Sequence, residues 1–288
     1  MANFCEYCGS AVKPGHLYCE NCGSPVAGHQ AAAQSGPAAG ESWSAQPIPP
    51  VQVIGDSGKS AVTRAWEDLS CDKSNFGRVA VLALLEMIPI VNLFVTGYVL
   101  KWGVGATRSS DKSLPEQYFS EFVLGFYALV VSLVWGIVIG IIGQIPVLGA
   151  IAALFLAPLL ILCLMRVGMF GSVSAGFEIT KAWNLYRNKM GEVAFAFWIP
   201  VLIGMVAIFA CTLVASFFGG ISLVTLSGHG PVLSGIGVLG VLVSLLCGYV
   251  IMVASVMSNL VAERAMGYVI AENAPDWVRE SLVTKPTL

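Results

Sequence analysis

The sequence predicts an all-α integral membrane helical bundle with a small N-terminal four-cysteine metal module, and three observations predict it. The chain has 288 residues, of which 56% are hydrophobic and 11% charged; an ordinary soluble domain carries roughly a quarter charged residues. The charges are unevenly spread. Apart from Glu86, residues 79–100 are uncharged, as are residues 122–165 and 193–261, and each of the last two runs exceeds the ~20 apolar residues that cross a bilayer. Ahead of these runs stand Cys5, Cys8, Cys19 and Cys22, two C-x-x-C pairs. A formal net charge of −2 provides no basic field and argues against a nucleic-acid partner. The first residues are the cysteine module rather than a basic stretch and short apolar core. No cleavable signal peptide is therefore expected, and the first apolar segment is expected to direct insertion.

Residues 1–26 come first. Two C-x-x-C pairs supply four thiolates, the donor set of tetrahedral zinc. Gly9 and Gly23 follow the second cysteine of each pair, where a positive φ turns backbone N–H groups toward sulfur. Phe4 and Tyr18 precede the first cysteine of each pair, so the two halves repeat. Residues 4–26 closely resemble the short zinc-ribbon modules at the N-termini of many prokaryotic proteins. The resemblance implies a structural zinc held by Cys5, Cys8, Cys19 and Cys22, with no open coordination position. The spacing favours zinc over the rival arrangement, two disulfides in an exported domain. His16 is read as a surface residue. Lys13 is the only basic side chain other than His16, against Glu6 and Glu20, so phosphate binding is disfavoured and protein contact is the better expectation.

Residues 27–60 are rich in Ala, Ser, Gly, Pro and Gln, and are expected to form a flexible linker because they offer too little apolar surface to offset ordering entropy. Gly55-Asp56-Ser57-Gly58-Lys59-Ser60 looks like a phosphate loop, but Val53 stands where its first glycine belongs, so that reading is rejected.

Residues 61–265 form the expected membrane domain. In 61–72, Val62, Ala65, Trp66 and Leu69 fall at helical spacing with Arg64, Glu67 and Asp68 opposite, predicting an interfacial amphipathic helix anchored by Trp66. The tract 76–106 would reach about 45 Å as one helix, against a bilayer core of ~30 Å. Pro89 and Asn92 interrupt it, so it is read as a hairpin, either re-entrant or two short spans. Ser113-Leu114-Pro115-Glu116 has the Ser-x-x-Glu capping pattern. Further spans are expected at about 118–143, 147–165, 193–218 and 236–261. A second amphipathic stretch ends near Met190, and residues 219–235 are expected to be an uncharged loop. The tail 266–288 is polar, and Pro275 is expected to stop any helix there.

Lys and Arg flank the first tract on both sides, lie between the third and fourth segments, and recur near the C-terminus; 144–148 and 219–235 contain none. The positive-inside rule then places both termini in the cytoplasm, a reducing compartment that also favours zinc over disulfides. Thr63-Arg64-Ala65-Trp66 matches Thr180-Lys181-Ala182-Trp183, and each is followed by an Ile-Pro, Ile88-Pro89 and Ile199-Pro200. Duplication is one account of this weak repeat. The other is convergence of two interfacial helices on Trp and basic residues.

The run from Leu85 to Asn92, Gly97-Tyr98 and Leu114-Pro115-Glu116 resemble an uncharacterised prokaryotic multi-pass membrane family, a domain of unknown function, over residues 60–265. The resemblance implies a bacterial or archaeal membrane protein, often bearing a zinc ribbon, and no reaction. Among single residues, Glu86 is an intramembrane carboxylate beside a broken helix, a default site hypothesis; the bland reading sets it near the surface of a short hairpin. Gly136 and Gly140 have the close-packing spacing of membrane helices and are expected to pack within the bundle. Gly235-x-Gly-x-x-Gly240 matches a dinucleotide fingerprint as a string, but no strand precedes it and packing is the better reading. Cys163, Cys211 and Cys247 read as small buried apolar residues. The expectation is a non-enzymatic scaffold or sensor in a prokaryotic plasma membrane, embedded in the lipid bilayer, whose ribbon contacts a cytoplasmic protein. The alternative is a small transporter or channel using Glu86, Pro89 and Asn92. A lipid enzyme drawing on Glu178 and Arg166 is the third class. Oligomeric state is not legible.

Overall fold

The computed structural model describes residues 3–4, 11–12, 58–108, 114–115, 121–226 and 231–283. The chain divides into two compact units, 1–52 and 53–288. In the first, strands β1 (Asn3–Phe4) and β2 (Ala11–Val12) pair antiparallel, Asn3 opposite Val12 and Phe4 opposite Ala11. In sequence they bracket Cys5 and Cys8. The four cysteines themselves lie outside the described residues, as do most of the linker and the ends of the Ser113–Glu116 pattern.

Every regular element among the described residues of the second unit is a helix. α1 (Ala61–Ser70) starts at Ser60, whose hydroxyl accepts from the Thr63 N–H, and α2 (Lys73–Glu86) starts at Asp72, which accepts from Ser74; each cap satisfies one of the orphan donors of a first turn. Met87 and Ile88 interrupt the helix, and Pro89 opens α3 (Pro89–Gly105), where its missing N–H is harmless. A short 3₁₀ turn ends it at Arg108. α4 (Phe122–Ile142) and α5 (Pro146–Phe170) form a second hairpin. α5 stops at Gly171, whose φ of 61° is the left-handed closure that glycine adopts without a Cβ penalty. A single turn, α6 (Val173–Gly176), leads to α7 (Ile179–Asn188). α8 (Met190–Leu226) and α9 (Pro231–Asn273) form the third and longest hairpin, and α10 (Pro275–Val283) follows.

Among the described residues, four helices are long and apolar enough to cross a membrane: 122–142, 149–170, 190–222 and 237–273. α4, with 21 residues, rises about 31 Å and matches the hydrocarbon core. α2, with 14 residues, rises only about 21 Å. Large apolar side chains on α4, α8 and α9 face outward, including Leu133, Phe209 and Leu245, as expected where the solvent is lipid.

Side chains tie the hairpins to one another. The Arg108 guanidinium donates to the Met169 carbonyl, linking the end of α3 to that of α5. Tyr249 of α9 donates to Ala80 O of α2, and Tyr98 of α3 donates to Pro115 O. α3 and α4 touch backbone to backbone: a Cβ on Gly125 would sit 2.7 Å from the Leu93 carbonyl carbon and 3.0 Å from Gly97 N. Only glycine permits that approach.

Several expectations are corrected. Residues 219–226 continue α8 and 231–235 already belong to α9, so most of the expected loop is helix; its glycines disfavour helix, but an apolar backbone in lipid can satisfy its hydrogen bonds only internally, and Pro231 is the first residue of α9, a position that suits proline. The fifth span does not stop at 261 but continues to Asn273, because its charged last turns are buried against α1 and α3. Pro275 does not leave the tail without helix: α9 ends at Asn273, and Pro275 is the first residue of α10, a position that suits proline. Gly136 and Gly140 have no neighbour within 4 Å of where a Cβ would stand, so this pair does not pack within the bundle. Gly240 does, against Phe218 of α8. The repeat is partial: Trp66 and Trp183 are both half-exposed on ten-residue helices, but Pro89 follows an interruption between two helices whereas Pro200 lies inside unbroken α8.

Candidate functional site

The residues proposed around the first break do not converge. Glu86 closes α2 and is half-buried; Asn92 is in the first turn of α3, where the Thr96 hydroxyl donates to its carbonyl at 2.9 Å. Among the described residues no hydrogen bond or ion pair joins Glu86 to Asn92. The tip between them is apolar and outward-facing, with Met87 at 62% and Ile90 at 71% exposure.

The polar chemistry instead gathers at the opposite end, where three arginines are buried, Arg166 and Arg264 almost completely and Arg64 beside them at 8% exposure. Arg264 of α9 donates from Nε to Asp68 Oδ2 at 2.9 Å and from Nη1 to the Trp102 carbonyl at 2.7 Å. Tyr268 donates its hydroxyl to the same Asp68 oxygen. The Arg264 guanidinium lies 4.9 Å from the Trp102 ring centre and 5.6 Å from that of Tyr268. Arg64, one turn before Asp68, lies 4.3 Å from the Tyr268 ring and pairs with Glu272. This corrects the expected orientation of the first helix. Arg64 and Asp68 are buried together with Ala65 and Leu69, because α9 presents charged partners to that side. Trp66 and Glu67, expected on opposite faces, are both exposed.

The second arginine is Arg166 of α5. Its Nη2 donates to Glu178 at 2.7 Å and its Nε to the Ala175 carbonyl at 3.3 Å. It stacks on Phe170 at 4.9 Å and on Trp277 of α10 at 4.6 Å. Its Nη1 is buried without a hydrogen-bond partner among the described residues. Glu178 continues outward to Lys181 at 2.9 Å, and Lys181 reaches Glu280 of α10 at 3.0 Å. The Lys181 hydrogen bond, reinforced by Arg166, holds the Glu178 carboxyl below the ordinary glutamate range.

The structure thus brings Arg166 to Glu178, residues named from sequence, and adds Asp68, Tyr268, Trp102 and Glu272 around an Arg264 that sequence offered only as an orientation signal. A further carboxylate, Glu263 of α9, has one buried oxygen without a partner among the described residues, beside Gly103. No group of three or more His, Cys, Asp or Glu is placed to hold a metal ion among the described residues.

This arrangement defines a helical membrane protein whose charged end is clamped by two cation-centred clusters. No family model, no curated protein and no solved structure matches the chain, so the two resemblances drawn from sequence rest on the quoted residues alone.

Proposed function

We propose that this is a non-enzymatic integral membrane scaffold or sensor of a prokaryotic plasma membrane, with both termini cytoplasmic and an N-terminal zinc ribbon that contacts a cytoplasmic protein partner. The observation that carries the reading is the pair of C-x-x-C motifs, Cys5/Cys8 and Cys19/Cys22, ahead of four apolar helices long enough to span a membrane. Four thiolates would hold zinc with no vacant position, so the metal would supply a crosslink rather than a reaction. The buried arginines support the same view. Arg264 binds α1, α3 and α9 to one another, and Arg166 binds α5, α7 and α10, which are holding roles. Engagement of Glu178 by both Arg166 and Lys181 suits a clamp better than proton transfer to a substrate. The transporter reading has the α2–α3 break in its favour, but its polar residues do not meet.

Two measurements on the full chain test this. Metal analysis of the purified protein should find one zinc per chain, lost in Cys19→Ser. Crosslinked co-purification from native membranes should capture a partner with the intact chain and not with Cys19→Ser. Capture of the same set by both forms, or zinc-free protein, overturns the proposal. Proton or cation flux in liposomes that Glu86→Gln abolishes would replace it with the transporter.

A further inference from the structure

Two cavities on one side of the α8–α9 hairpin meet at Val62. The larger, about 530 Å³, is an apolar cleft between α1, α8 and α9, lined by Trp66, Pro200, Gly204, Ala207, Ala254 and Ser258 among others. The smaller, about 340 Å³, lies at the charged end, with Lys59, Glu192 and Glu272 on its walls beside Phe195 and Val269. Together they make a groove with an apolar body and a charged mouth.

The walls show what enters. α8 presents Ile203 at 66% exposure and Val206 at 69% beside the cleft, within a helix long and apolar enough to span a membrane, so the body opens sideways into acyl chains. Small side chains form its floor: a Cβ on Gly204 would sit 3.0 Å from that of Ser258. Along α8, Glu192 and Ala207 are about 22 Å apart in rise. Half the thickness of a bilayer with its headgroups is about 20 Å. The mouth carries Lys59, Glu192 and Glu272, exposed at 46%, 50% and 38% and each in an ion pair, with Glu67, Lys189 and Arg64 respectively; pairs this open to solvent are worth little and can exchange a partner for a charged headgroup.

We propose that this groove binds one phospholipid whose headgroup carries an amine: the acyl chain lies along Gly204 and Ala207, the phosphate beside Lys59, and the ammonium between Glu192 and Glu272. Trp66 sits at the rim at the depth where indoles favour the interface. The site belongs to the membrane domain and does not depend on the ribbon.

The test uses the full chain in phosphatidylglycerol nanodiscs holding a trace of diazirine-bearing phosphatidylethanolamine or, separately, diazirine-bearing phosphatidylglycerol. The amine lipid should label 200–207 and 254–261 at least about fivefold more than the glycerol lipid. Ala207→Trp, which fills the body, should remove that excess while labelling of α4 is unchanged, and Glu192→Gln should lower the preference between the two lipids. Circular dichroism and thermal unfolding establish that each variant is folded, and Ala254→Phe fills the same body from the other wall if Ala207→Trp is not. Equal labelling by both lipids, labelling spread evenly over α4, α8 and α9, or undiminished labelling of a folded filled variant overturns the proposal.

Discussion

Arg264 and Arg166 are both about 1% exposed at the side chain, yet their surroundings differ. Arg264 meets Asp68, itself 4% exposed, whereas the carboxylate of Arg166, Glu178, is 44% exposed. The first cluster is closed: Asp68 also takes the Tyr268 hydroxyl, and the Trp102 carbonyl takes a second guanidinium donor. The second leads outward through Lys181 to Glu280; each cluster keeps one buried guanidinium nitrogen without a partner among the described residues, Arg64 Nε in the first and Arg166 Nη1 in the second. A buried charge without its counter-ion is severely unfavourable, while a pair with one member in water is screened. The closed cluster should therefore govern global stability, and the open one local order at α7 and α10.

Asp68→Ala gives the largest expected effect. It strands Arg264 and costs about 3–5 kcal/mol, visible as a large fall in unfolding temperature. Combining Asp68→Leu with Arg264→Met should recover most of that loss, since an apolar replacement of a whole buried pair is often neutral. If Asp68→Ala is as stable as the parent, the closed cluster is not the pin. Trp277→Ala should come next. It removes a ring stacked on Arg166, worth about 2 kcal/mol where desolvated, and should lose hydrogen-exchange protection over 275–283 while α1 and α9 stay protected. Equal loss in α9 would show that the two clusters are one unit.

The contrast between the clusters also shows what sequence could and could not reveal. The long uncharged runs become helices because nothing but internal hydrogen bonding satisfies a backbone in lipid, and Pro89 marks an interruption between two helices because the residue before proline avoids helical backbone. The closed cluster was not legible, since Asp68 and Arg264 are 196 residues apart and periodicity in α1 identifies two faces without saying which one meets α9. Arg64 and Asp68 therefore looked like the solvent side. Counting Arg166 and Arg264 as orientation charges hid their burial for the same reason: a basic residue at the end of an apolar run looks identical whether it faces headgroups or a carboxylate. Arg166 and Glu178 were easier, being twelve residues apart across one turn. Pro275 shows a limit of such signals, because a proline that stops one helix is also well suited to start the next.

The smallest effects concern Glu178, and they separate the clusters by pH. Glu178→Gln should cost about 1 kcal/mol, in keeping with a partly exposed pair, and less in high salt. Lys181 and Arg166 depress the Glu178 carboxyl in the folded protein, so its stabilising contribution is complete above the ordinary glutamate value of about 4.3 and disappears as the pH falls through the lower, folded value. The unfolding temperature of the parent minus that of Glu178→Gln should thus be constant from neutral pH down to about 4.3 and shrink below it. A difference that grew on acidification would mean that the carboxyl binds its proton more readily folded than unfolded, and a flat difference that Glu178 contributes through packing alone. Either result would erase the distinction between an open, titratable clamp at Arg166 and a closed one at Arg264.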